Sequence, residues 1–213
     1  MMKTSGFLAA TSSVRIVLVP VIMALLVADD DDLGALVWIA AALFAIAALT
    51  DFVDGYLARR WNVTTTLGSF LDTTADKLLV TGVLVALVAV ERASPWIATI
   101  IIARELTIMG LRGVIAADGA VMAPSIWGKL KTNVQFFAIL FAIVRPDVVI
   151  AGTYLDEWGM LIAALITVGS AIDYIAAFSS ALHEDPDPPT PPGAPETAVA
   201  PRVAAQPTIH SHP

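Results

Sequence analysis

Asp51-x-x-Asp54-Gly55-x-x-Ala58-Arg59, followed by Gly68-x-x-x-Asp72-x-x-x-Asp76, places four carboxylates between two apolar runs, in a 213-residue chain that is 57% hydrophobic and 15% charged. Residues three or four apart share a helix face. Asp51, Asp54, Gly55 and Ala58 therefore line one side of a helix end, and Gly68, Asp72 and Asp76 one side of the next helix start. A turn near Trp61–Leu67 brings the chain back, so two antiparallel helix ends present the four carboxylates together. Gly55, Ala58 and Gly68 leave room for a backbone or a ligand to approach closely.

Outward from this stretch the apolar runs are Val14–Val27, Leu33–Thr50, Leu78–Val90, Trp96–Ala103 continuing through Leu106–Leu111, Val134–Val144 and Met160–Leu182. With a positive mean hydropathy, they predict an all-α polytopic membrane protein of six transmembrane helices. Several runs fall short of the ~20 residues that span ~30 Å of hydrocarbon. They reach that length by continuing into polar stretches, at Thr11–Arg15, Asp51–Arg59, Gly68–Lys77, Arg104–Arg112 and Gly128–Gln135. A cleaved signal sequence is the alternative for the first run. No small-residue cleavage site precedes Asp29–Asp32 and a second apolar run follows at once, so the run is read as a span.

Basic residues mark the cytoplasmic ends of short loops. With the N-terminus inside, Lys3, Arg15, Arg59, Arg60, Lys77, Arg104, Arg112, Lys129, Lys131 and Arg202 fall toward the cytoplasm, and only Arg92 and Arg145 outside. Both termini are then cytoplasmic, and the polar extensions converge on a cavity open to the cytosol, where charge at membrane depth is tolerated. Residues 1–182 form the expected transmembrane catalytic domain. Residues 183–213 hold nine of the thirteen prolines and read as a disordered cytoplasmic tail.

The composition also excludes. There is no cysteine, and His183, His210 and His212 all fall in the tail, so thiolate chemistry, iron–sulfur clusters and a histidine base within the helices are ruled out. The net charge of −7 reflects Asp29–Asp32 and the tail and says nothing about nucleic acid. Four carboxylates in one pocket raise one another's pKa unless cations compensate. Oxygen-only ligands favour Mg²⁺, Mn²⁺ or Ca²⁺ over zinc or copper. A pair of such ions about 3.5–4 Å apart suits phosphoryl transfer. The bland alternative, solvated helix caps, accounts for one or two aspartates but not for the ordered set.

The complete string from Asp51 to Asp76 resembles the signature of the CDP-alcohol phosphatidyltransferases; its eight fixed positions arise by chance at about 10⁻¹⁰ per starting point. The resemblance implies a six-helix membrane enzyme, usually a homodimer, that transfers a phosphatidyl group from a CDP-linked lipid to an alcohol and releases CMP. It implies that Asp51, Asp54, Asp72 and Asp76 hold two divalent cations, Mg²⁺ or Mn²⁺, with Asp76 also the general base. Gly55, Ala58 and Gly68 would admit cytidine and pyrophosphate, with Arg59 near the phosphates. Ser12, three residues before Arg15 and eight before Pro20, fits the family's first helix and its nucleotide contact. Ala9 stands where that helix carries Asn, and Thr73-Thr74 replaces a Pro-containing segment.

For the acceptor, Ala103-Arg104-Glu105-Leu106-Thr107 with Arg112, then Gly128-Lys129-Leu130-Lys131-Thr132 and Gln135, resembles the members that make phosphatidylglycerophosphate from glycerol 3-phosphate. Arg104 and Arg112 lie two helical turns apart on one face, and Lys129 and Lys131 open the next span, so the four read as a basic pocket for a phosphorylated acceptor. Snorkelling of these side chains to the interface is the competing reading. Glu105, beside Arg104 within an apolar helix, reads as an orienting ion partner rather than a catalytic group. The resemblance thus points to CDP-diacylglycerol and glycerol 3-phosphate as substrates and to a bacterial inner membrane. A cardiolipin synthase or a phosphatidylinositol-phosphate synthase of the same fold is the runner-up, and a divalent-cation transporter the rival from another class.

Overall fold

The computed structural model describes residues 2–28, 34–61, 66–117 and 126–183, with side chains described over 11–28, 34–50, 68, 70–116 and 131–176. Six helices follow one another: α1 (Met2–Val27), α2 (Ala35–Trp61), α3 (Thr66–Ala89), α4 (Pro95–Ala117), α5 (Ile126–Val144) and α6 (Leu155–His183). Two short strands, β1 (Val149–Ile150) and β2 (Thr153–Tyr154), pair antiparallel between α5 and α6. The helices run unbroken through each polar stretch that the apolar runs needed for length. At 19 to 29 residues they extend about 29 to 44 Å, at 1.5 Å per residue.

Among the described residues, only Leu155–Ala176 of α6 is long and apolar enough to cross a membrane by those criteria alone, and Thr11–Val27, Ala35–Thr50 and Lys131–Val144 are apolar but shorter. The outer surface is as apolar as the interior. Val17, Ile46, Val85, Phe141, Leu165 and Ile172 all face outward, while Ile22, Phe44, Leu84, Leu87, Ile101 and Ile139 are fully buried. Helices apolar on both faces suit a hydrocarbon surround better than water.

The core joins α1 to α5 and the start of α6 through Ile22, Val37, Phe44, Val83, Ile101, Ile143 and Met160. Phe44 of α2 stacks on Phe136 of α5 with centroids 5.3 Å apart. α1 and α3 approach closely, and a Cβ on Gly82 would stand 2.4 Å from Val19 Cγ1. Val19 and Met23 flank Gly82 while Ser12 and Arg15 reach Asp72, so the two helices run parallel with their early turns side by side.

The far end of the bundle is closed by backbone geometry. α3 ends in a Schellman motif, with Glu91 N–H donating to Val88 O at 3.2 Å and Arg92 N–H to Leu87 O at 2.8 Å. The motif needs a left-handed residue, and Glu91 takes it with φ 56°. The strand pair, which hydropathy alone does not predict, turns through Ala151 (φ 55°) and Gly152 (φ 83°), a pattern of two positive φ angles typical of a type I′ hairpin. The segments expected around Asp29–Asp32, the turn at 62–65 and the tail from 184 onward lie outside the described residues.

Candidate active site

Asp72 and Asp76 sit on successive turns near the start of α3 and are both partly exposed. Ser12 Oγ and Arg15 Nη1, from α1, each lie 3.3 Å from Asp72 Oδ1. Arg15 itself is only 1% exposed, so its charge is held in the core and directed at this carboxylate. Ser12, singled out as a nucleotide contact, is thus placed against a motif aspartate. Lys77 Nζ donates to Asp76 Oδ2 at 2.8 Å.

A second acid stands at the centre of the adjoining cluster. Glu105 of α4 is 2% exposed and takes Lys77 Nζ on Oε2 at 2.6 Å. Its Oε1 accepts from Arg104 Nη1 at 3.1 Å and from Lys131 Nζ of α5. Three helices therefore each lend a cation to one buried carboxylate. A lone buried charge would cost several kcal/mol, so the partners are what permit it. With Asp76 included, three basic groups, Lys77, Arg104 and Lys131, face two acids.

The expected basic pocket is only partly assembled. Lys131 is buried beside Glu105, and Arg104 Nη2 donates to Ser170 Oγ of α6 at 3.2 Å. Arg112 faces Tyr174 instead, with Nε 3.1 Å from the phenol oxygen and the guanidinium 5.7 Å from the ring centroid. The reason is helical: Arg104 and Arg112 share a face of α4, Ser170 and Tyr174 are four apart on α6, and the two faces pack together. Lys129 lies on α5, and Asp51, Asp54, Gly55, Ala58 and Arg59 on the last turns of α2, but their side chains lie outside the described residues. Gly68 occupies the turn of α3 before Asp72.

Asp76, Lys77, Glu105 and Lys131 line a cavity of about 250 Å³, whose other wall is Phe44, Ala48, Leu49, Phe136 and Phe137. One side is charged and the other greasy. Lys77 was not singled out by the sequence reading, and Gln135, which also lines the cavity, was named only as part of the acceptor-like segment. Lys77 is adjacent to the last motif aspartate, which was the available signal.

For a metal, Asp72 and Asp76 supply oxygen only, on one helix face, with the described contacts falling on Asp72 Oδ1 and Asp76 Oδ2. Hard divalent cations fit such donors. Among the described residues no three acidic or imidazole groups converge; the two remaining motif aspartates, Asp51 and Asp54, have side chains outside that set.

Comparison with known proteins identifies the family. The family model for CDP-alcohol phosphatidyltransferase matches residues 9–172, from the helix of Ser12 and Arg15 to the helix of Ser170. Among similar proteins, one from Bacillus subtilis (strain 168) is 36% identical over 173 residues, covering 76% of this chain and 89% of its own. One from Sodalis glossinidius (strain morsitans) is 41% identical over 149 residues, covering 68% and 80%. One from Shigella flexneri serotype 5b is 39% identical over 143 residues, covering 65% and 77%. All three carry the name CDP-diacylglycerol–glycerol-3-phosphate 3-phosphatidyltransferase.

Proposed function

Since the chain belongs to the CDP-alcohol phosphatidyltransferase family, and is therefore an enzyme rather than a cation transporter, we propose that it moves the phosphatidyl group of CDP-diacylglycerol to glycerol 3-phosphate, giving phosphatidylglycerophosphate and CMP. The observation that carries the reading is the cavity, which sets Asp76 between a phenylalanine wall and a cluster richer in basic groups than in acids. An amphiphilic donor and a small anionic acceptor both find matching chemistry there. A lipid acceptor, as in cardiolipin synthesis, would leave the charge of Lys77, Arg104 and Lys131 unused.

In this reading the acceptor's phosphate lies toward Lys131 and Arg104, and Glu105 keeps those cations from collapsing onto Asp76. Asp76 takes the proton of the attacking primary hydroxyl, which bonds to the lipid-side phosphorus while the bond to the CMP oxygen breaks. Arg15 and Ser12 hold Asp72 in orientation. Asp51, Asp54, Asp72 and Asp76 would hold two divalent cations, Mg²⁺ or Mn²⁺, which when bound neutralise charge on the pyrophosphate. Gly55, Ala58, Arg59 and Gly68 are the residues assigned to the nucleotide and its phosphates.

The setting is proposed as six spans in a bacterial inner membrane, as a homodimer, with both termini and the cavity on the cytoplasmic side. It is supported by the apolar outer surface and by the basic residues gathered at one end. The deciding assay mixes purified protein in detergent with CDP-diacylglycerol, Mg²⁺ and either glycerol 3-phosphate, inositol phosphate or phosphatidylglycerol. CMP release with glycerol 3-phosphate is expected. Release with phosphatidylglycerol alone would overturn the acceptor, and release with none would overturn the reaction.

A further inference from the structure

We propose that Gln135 determines which acceptor is used, by accepting a hydrogen bond from the acceptor hydroxyl that does not react; the proposal rests on the acceptor reading above. Gln135 is 3% exposed and lines the cavity that also holds Asp76, Glu105 and Lys131. Its Oε1 is buried and has no hydrogen-bond partner among the described residues. Buried acceptors are rarely left unmade, and one at the wall of a binding cavity is satisfied by a donor on whatever occupies it.

Position identifies that donor. Gln135 stands one turn after Lys131 on α5, on the same face, so the two Cβ atoms are about 5–6 Å apart. Lys131 is a cation assigned to the acceptor's phosphate. A hydroxyl two carbons along the same small molecule is at the right separation to meet Gln135, leaving the terminal hydroxyl for Asp76. Three groups of the protein, one cationic, one neutral acceptor and one carboxylate, thus answer the phosphate, secondary hydroxyl and primary hydroxyl of a three-carbon polyol phosphate. Cytosine and ribose also carry donors, but the residues assigned to the nucleotide lie on α2 and α3, whereas Gln135 shares its helix face with Lys131. Its amide oxygen bears no charge, so it selects by hydrogen bonding without competing for the proton.

The test compares glycerol 3-phosphate with 3-hydroxypropyl phosphate, which lacks only the secondary hydroxyl, following CMP release at saturating CDP-diacylglycerol. The wild-type protein is expected to use the deoxy compound with kcat/KM about tenfold to a hundredfold lower, as sites built to bond a hydroxyl do. Gln135→Met should lower glycerol 3-phosphate to the level of the deoxy compound, leave the deoxy compound within about threefold and leave the KM for CDP-diacylglycerol unchanged. Gln135→Glu, which keeps an acceptor oxygen, should retain a preference, and it provides the readout if Gln135→Met fails to elute as folded protein. Equal use of both compounds by the wild type would overturn the inference, with Oε1 then served by water alone, as would an undiminished preference in Gln135→Met. Absence of CMP release with either compound would overturn the acceptor reading itself.

Discussion

At one end of the bundle Glu105 gathers Lys77, Arg104 and Lys131 from three helices; at the other, Arg92 gives its Nη1 to the carbonyl of Ile143 at 2.7 Å and Arg145 lies 4.7 Å over the ring of Tyr154. Both ends bury charge, and they do so differently. Arg92 gives a hydrogen bond to a main-chain oxygen and Arg145 lies over an aromatic face, and each stands at a helix terminus. Around Glu105 the partners are charged side chains from separate helices, and a cavity lies beside them. Charge satisfied by backbone marks architecture, while charge satisfied by other charge at a cavity wall marks chemistry.

The largest break in this contrast should come from Asp76→Asn. Turnover is expected to fall by about 10²- to 10⁴-fold, the range for loss of a general base, with CDP-lipid binding retained in a filter or fluorescence assay. Lost binding would make Asp76 chiefly a ligand for metal. Glu105→Gln comes next, because it leaves three cations facing a neutral amide. A loss of about 3–5 kcal/mol is expected, read as a lower unfolding midpoint in detergent together with a raised KM for glycerol 3-phosphate. A variant with normal stability would show the cluster to be hydrated.

At the opposite end, Arg92→Met should cost about 1–3 kcal/mol by orphaning the Ile143 carbonyl, and leave both KM values alone. A kinetic change there would erase the distinction between the two ends. The smallest effect is a gain. Glu91→Gly relieves a left-handed residue that costs roughly 1–2 kcal/mol with a side chain present, against about 0.5–1 kcal/mol of added chain entropy. A rise in unfolding midpoint without kinetic change is expected; a fall would mean that the Glu91 side chain holds the turn.

The helices were legible as apolar runs, and the polar continuations were legible because several of those runs were too short alone. The strand pair was not, since Val149–Tyr154 is short and Ala151 carries none of the usual bias toward positive φ. At the site, Asp72 and Asp76 announced themselves by spacing along one helix. Glu105 could be assigned Arg104, its neighbour in sequence, but Lys77 and Lys131 arrive from other helices, and tertiary packing leaves no mark in a local pattern. Arg112 shows the converse: its periodicity with Arg104 was real, and the face they share packs on Ser170 and Tyr174 of α6.

Gly82 stands ten residues beyond Asp72 on α3, about 15 Å along the axis, in the half of the bundle away from the carboxylates. With Val19 seated where a Cβ would be, it acts as the fulcrum about which α1 lies against α3. A side chain there would press on Val19, on the same helix that carries Ser12 and Arg15 to Asp72. The bare backbone of Gly82 thus leaves room for the helix whose early turn meets that carboxylate.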